Sequence, residues 1–581
     1  MNNLVFVLVI TLVLTTCALA KEYKQGDLVD LWAYSVFPAA NPQERYPYSS
    51  AELCSSTSTT SISKDTKDLS FGEMLAGYRY ERLPYAVKYL EASDLSIECA
   101  DLLTPAKLRH LERLVLEGYW YEWSVDGLPA WAPLGSVVNG RAYLYTHRAL
   151  NISHDGSGRI TAATLTVSDA RALADYAAPA ASGAQIPLTA TYSVAWGAAS
   201  TDPEHRLDRY LELDRFGGLQ RFLGTLFALI LALFVASVSL TAHPNTTTAT
   251  TATPTKSDTT NNTTNNNNTP GLCAAAGLGA QIAFAAAATA CAGLFGAKFA
   301  APGELAGRLA LMHALGGAAG GYAGARAYCA LDGAGGGGRR WLRVALLGMC
   351  GALPLAAYGV WTLVNAVGAW YGSLVAAPLG TQAMVAAWQA LVVTPVTLLG
   401  AFVARRRFVR NGGLKRGRRQ VALGHNHAVR KGGVAWKNRV MMGAAWAFGY
   451  FCVAVEINYV IIAIWEYGTF MGYGYTFFSL GALGCCAGKM GVTVTVFLWN
   501  NGCAEWRRNA FVSGAGVAIP VMLHFALYYA RKSAMSGFLQ FVAFFSVAGA
   551  ISLALALSCG SIALLSVIKY IEDLNTSDKK E

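Results

Sequence analysis

Polar and apolar positions divide the chain into two textures that meet near residue 218. Upstream, from Lys21, charge, turn residues and short apolar runs are mixed, and no apolar stretch reaches the ~18 residues a membrane crossing needs. Residues 104–117 (TPAKLRHLERLVLE) set Leu108, Leu111 and Val115 at helical spacing behind a Thr-Pro start. Arg141–Asn151 and Ile160–Val167 alternate or are β-branched, with an Asp-Gly-Ser-Gly turn between them, and predict two strands. The region reads as a mainly β domain with a helix or two.

Downstream, apolar stretches recur at 222–242, 273–297, 309–330, 342–367, 380–403, 440–464, 473–499, 510–530 and 538–566. Each is about 20 residues or longer, enough to cross the hydrocarbon core. The second and third are rich in alanine and less hydrophobic than leucine-rich spans. The fold expected is a membrane protein: a lumenal domain at 21–218, a first span at 219–242, a linker at 243–270, spans two to five at 271–404, a basic loop at 405–439, spans six to nine at 440–566 and a tail at 567–581. The linker, mostly Thr and Asn, is polar and of low complexity and has nothing to form a core.

Residues 4–16 are nearly all aliphatic and Ala18-Leu19-Ala20 is a small-x-small site, so 1–20 reads as a signal peptide. The basic residues that usually precede such a run are missing, which keeps an uncleaved anchor as the alternative; either form sends the next segment to the lumen. From a lumenal start, nine crossings put the loops after spans one, three, five and seven, and the tail, in the cytosol. Charge agrees: residues 405–439 hold 12 Lys or Arg and no Asp or Glu, whereas Arg531 and Lys532 go against the bias. This placement accounts for the formal net charge of +11 without nucleic acid, for which no recognisable module is present. The loop can also attract anionic membrane lipids.

Of the 12 cysteines, Cys54 and Cys99 alone fall in the lumenal domain, where pairing is the expected state and free thiols the alternative. Asn151-Ile152-Ser153 is a glycosylation sequon on the lumenal side; the sequons of the linker, such as Asn245-Thr246-Thr247, should escape modification. No nucleotide-cradling loop, zinc helix, nucleophile elbow or paired CxxC occurs, so no catalytic, cofactor or metal residue is assigned and an enzyme is not expected. The GAGGGG at 333–338 reads as a flexible connection. In span three, Gly316, Gly320 and Gly324 form a small-residue ribbon that admits either a neighbouring helix of the same bundle or the helix of a client protein. Glu456 and Asn458 lie within span six, where a carboxylate needs a partner; His313, Lys489 and His524 are the candidates, serving a polar packing cluster or an ion pathway.

Several long blocks, in order, resemble the transmembrane-nine superfamily, the nonaspanins or endomembrane-protein-70 family. They are NPQERYPY (41–48), FGEMLAGYR (71–79), LPYAVKY (83–89), YWYEWSVDGLPAW (119–131), YLYTHRALNI (143–152) and TYSVAW (191–196) in the first half. AWYGSLVAAPLGT (369–381), VEINYVIIAIW (455–465) and MSGFLQ (535–540) follow in the second. The family's stretch before span one is replaced by DRFGGLQRF (214–222), and its charged first cytosolic segment by the linker. The resemblance implies that Cys54 and Cys99 are the family's lumenal pair. It also implies that Lys579 and Glu581 belong to a carboxy-terminal signal read by coat proteins. The implied function is that of a Golgi or endosomal membrane protein that sorts client membrane proteins by recognising their transmembrane helices. A transporter or channel using Glu456 is the alternative, and a lumenal receptor a third possibility; the sequence sets no oligomeric state.

Overall fold

The computed structural model describes residues 21–52, 67–83, 85–176, 186–199, 206–207, 218–240, 269–295, 301–331, 340–410, 435–465, 473–501, 505–533 and 535–577. The signal segment, Cys54, the side chain of Cys99, residues 243–268 of the linker, residues 411–434 of the basic loop, and Lys579 and Glu581 lie outside them.

The first half is a β-rich head. β1 (Leu31–Pro38), β2 (Glu81–Arg82), β4 (Tyr119–Val125) and β5 (Leu128–Pro133) form one antiparallel sheet in the order β2-β1-β4-β5. The second holds β3 (Ser93–Leu103), β6 (Gly135–Val138), β7 (Arg141–His154), β8 (Ile160–Ala172) and β9 (Ile186–Ala198), with β7 running antiparallel to β8 and parallel to β9. Burial along β7 alternates strictly over Arg141–Asn151, as its sequence pattern does, so one face enters the core and the other faces out. The β7–β8 hairpin runs past its sequence signal, to His154 and to Ala172, because polar residues such as Ser153, Ser168 and Asp169 break the pattern there. Arg148 is 1% exposed, donates from Nε to the Tyr121 hydroxyl at 3.1 Å, and lies over the Tyr121 and Trp123 rings. The head also holds α1 (Phe71–Leu75), closed by a capping box between Ser70 and Glu73, and α2 (Pro105–Leu116), capped by Thr104.

Nine long helical segments follow among the described residues: α3 (Gly218–Leu240), α4 (Thr269–Leu294), α5 (Glu304–Leu331), α6 (Trp341–Trp370), α7 (Leu379–Arg410), α8 (Ala435–Trp465), α9 (Tyr473–Asn500), α10 (Trp506–Arg531) and α11 (Phe538–Ser577). They fall on the nine predicted spans. Seven are long and apolar enough to cross a membrane on that measure alone. The described apolar part of α3 is short, at Phe222–Ser237, while α5 carries Arg308 and Arg326 and draws its apolar character from Ala and Gly. α6 and α7 each contain a π-helical stretch, Val344–Ala352 and Gln389–Val393.

Close packing in the bundle depends on small residues, as expected where lipid removes the hydrophobic drive between helices. Gly316 and Gly320 face Gln281 of α4, and Gly324 faces Met349 and the Cys273 carbonyl. The ribbon on α5 is therefore filled from within by α4, while its other side, Gly317 and Gly321, meets Thr397 of α7. α11 is the central rod. Ser561 Oγ donates to the Ala276 carbonyl of α4 at 2.5 Å, Ala563 meets Gly491 of α9, and Glu572 pairs with Arg326 of α5 at 3.0 Å.

Candidate functional site: the seam between head and bundle

Two segments of the head reach down onto the bundle. The first is 41–48, held over β1 by paired backbone hydrogen bonds between Tyr46 and Val36. Gln43 Nε2 donates to the Ile464 carbonyl at the end of α8 at 2.7 Å. Gln540 of α11 donates to Glu44. The Arg45 carbonyl accepts from the Leu374 amide at 2.7 Å and the Ser373 hydroxyl at 2.8 Å, in the loop joining α6 to α7. The Arg45 side chain turns back into the head, over the Tyr34 ring at 4.8 Å and beside Glu122 at 3.5 Å. Burial pushes the Tyr34 hydroxyl up to about 12, with Arg45 holding it down and Glu122 adding to the rise.

The second segment is α1 with the turn that follows it. Phe71 packs on Trp388 of α7, ring centres 5.0 Å apart, and Arg79 Nη2 donates to the Ala376 carbonyl at 2.7 Å. Gly72 sits backbone to backbone on Gly303 and Gly307 at the start of α5, with no room for a Cβ, and Gly303 has φ +71. Glycine is demanded there by both space and conformation.

The seam therefore joins family-like blocks from opposite ends of the chain. The 41–48 block contacts all three blocks of the bundle, through Ser373 and Leu374, Ile464 and Gln540, and the 71–79 block contacts the first of them. Sequence reading identified the blocks without seeing that they meet. The available signal was that polar residues such as Gln43, Ser373 and Gln540 recur in blocks beside apolar spans without a packing role.

Between head and bundle lies a cavity of about 480 Å3, bounded above by Glu44, His110, Arg113 and Tyr119 and below by Tyr371 and the Ser536–Gln540 turn. His110 Nε2 is 2.9 Å from the Ser50 carbonyl and Arg113 Nη2 is 3.4 Å from His110 Nδ1. Burial, then the nearby Glu44 and Glu117 carboxylates, drives the Tyr119 hydroxyl well above the ordinary phenol range, with Arg113 opposing them.

The intramembrane residues divide differently from expectation. Glu456 is 6% exposed and accepts from Thr476 Oγ1 of α9 at 2.9 Å. His313 is 3.0 Å from Gln281 of α4, Lys489 is exposed on α9, and His524 joins Asn458 instead. Asn458 and His524 form a chain with Tyr450: Asn458 Oδ1 to His524 Nε2 is 3.1 Å, and His524 Nδ1 to the Tyr450 hydroxyl is 2.9 Å. Asn458 is exposed on the bundle surface and also donates to the Ala454 carbonyl at 3.3 Å. Asn151 is exposed toward the C-terminal end of β7.

A β head fastened to a polytopic helical bundle defines an integral membrane protein. The sequence pattern of the family described as endomembrane protein 70 matches residues 45–538, and the chain belongs to that family. It is 24% identical to Transmembrane 9 superfamily member 4 of Arabidopsis thaliana, covering 96% of this chain and 95% of that one. It is 26% identical to Transmembrane 9 superfamily member 1 of Mus musculus, covering 95% and 93%. No solved structure matches.

Proposed function

We propose that this protein sorts other membrane proteins in the Golgi and endosomes by recognising their transmembrane helices. The head is lumenal, and the 405–439 loop and the tail, with its coat-protein signal at Lys579 and Glu581, are cytosolic. It acts by binding, without chemistry of its own. The observation that carries this reading is the Tyr450–His524–Asn458 chain, which ends on an exposed amide of α8. Asn458 lies six residues before Ile464, about 9 Å along the helix from the seam, at a depth where lipid offers no hydrogen bonds. A client helix carrying a polar residue, with Gly beside it for close approach, gains there what lipid cannot supply; such bonds contribute about 1 kcal/mol. The α5 ribbon does not serve this purpose, because α4 and α7 fill it.

The test is surface labelling of cells that lack the protein and are then supplied with wild type or Asn458→Leu. Wild type should restore a set of membrane proteins whose helices contain polar residues or Gly, and Asn458→Leu should restore fewer of them while reaching the same compartment. Equal restoration by both would remove Asn458 from the reading, and an unchanged surface in the null cells would end it. A second reading, ion or proton transport, draws on the buried Glu456. Lumenal pH altered by Glu456→Gln, with client surface levels intact, would favour it.

A further inference from the structure

The seam cavity brings opposite charges together in one space. Glu44, Glu117, Arg113 and His110 all line it around Tyr119, with Arg113 3.4 Å from His110. A simple anion entering it would meet two carboxylates, and a simple cation would meet a guanidinium. The arrangement fits a molecule that carries both charges a few bonds apart. The floor supplies the second half of the argument. It is made where α6 ends and α11 begins, and large aromatic side chains there are exposed: Trp370 is 86% exposed and Phe541 48%, beside Phe538 at 60% and Tyr371 at 46%, which line the cavity itself. Aromatic residues at helix ends mark the headgroup level of a bilayer. A two-signed chamber thus adjoins exposed aromatic side chains of the kind that mark the headgroup level.

We propose that this cavity holds the headgroup of a zwitterionic phospholipid, whose chains lie along the adjoining ends of α6 and α11. The ammonium sits between Glu44 and Glu117 beside the Tyr46 and Tyr119 rings, where carboxylates and π-faces both favour a cation. The phosphate faces Arg113, and the lipid bridges head and bundle beside the Glu44–Gln540 contact.

The full-length protein, reconstituted with equal amounts of phosphatidylethanolamine, phosphatidylcholine, phosphatidylserine and phosphatidylglycerol, is extracted in mild detergent and its retained lipids measured by native mass spectrometry. One zwitterionic lipid per chain is expected to survive extraction. Arg113→Gln and Glu117→Gln, both exposed positions of the head, should each lower its retention at least fivefold, with Arg113→Lys restoring it. Glu117→Lys should turn the preference toward phosphatidylserine or phosphatidylglycerol, a gain that misfolding cannot produce. Retention that ignores all four substitutions, a preference of the wild type for the anionic lipids, or uptake of water-soluble glycerophosphoethanolamine in place of the lipid would each overturn the assignment.

Discussion

At the scale of single residues, glycine and polar groups do the work that large apolar side chains do in soluble proteins. Gly72 and Gly303 show it most clearly, because a methyl group on either would occupy backbone of the other segment. Gly72→Ala is therefore expected to lift α1 off α5 and to cost about 1–3 kcal/mol, the range for overpacking a tight contact. It should appear as a lower melting temperature of the purified full-length protein and faster proteolysis between head and bundle. An unchanged melting temperature would show that the two glycines do not set the distance. The same scale explains why the Thr476 hydroxyl on Glu456 was not legible in the sequence. A buried carboxylate can be held by a hydroxyl, and Thr476 carries no signature in sequence that separates it from other threonines.

At the scale of elements, the β7–β8 hairpin carries two acids whose pKa values lie below the ordinary carboxylate range. Slight burial opposes the shift at Asp155, but the Ser157 hydroxyl and the Arg159 and Ser157 amides outweigh it. At Asp169 the Thr146 hydroxyl leads, and Arg171 adds to it against weak desolvation. A carboxyl that is more acidic folded than unfolded stabilises the fold above its unfolded value, near 3.8, and loses that contribution as pH falls through the folded value. The melting-temperature gap between wild type and Asp169→Asn should thus stay constant from pH 7.5 to about pH 5 and shrink below pH 4. A gap that widened on acidification would reverse the sign of the argument. Elements were also where sequence was most legible. The Thr-Pro start gave α2 and its cap, the Asp-Gly-Ser-Gly turn gave the hairpin, and apolar length gave the positions of nine rods. The seam was hidden because its bonds run between carbonyls and side chains hundreds of residues apart, and periodicity reports only on neighbours.

For the whole molecule, the head and the bundle form one object with a defined polarity. If the head is lumenal, Asn151 meets the glycosylation machinery and Asn245, beyond the first span, does not. Removing N-linked glycans should speed the electrophoretic migration of the wild-type protein. Asn151→Gln alone should abolish that change, and Asn245→Gln should leave it in place. A shift that survived Asn151→Gln and vanished only when Asn245, Asn261, Asn262 and Asn267 of the linker were all replaced would invert the topology.

The seam also has a meaning in time. The ribosome delivers the head long before the last helix, and domains fold as they emerge. Gly303, Ser373, Trp388, Ile464 and Gln540 then reach the head in that order, and the partners in the last of these contacts, Glu44 and Gln540, are 496 residues apart. The finished head is a jig onto which successive helices are registered as they are made, and closure at Gln540 reports that the final rod is in place.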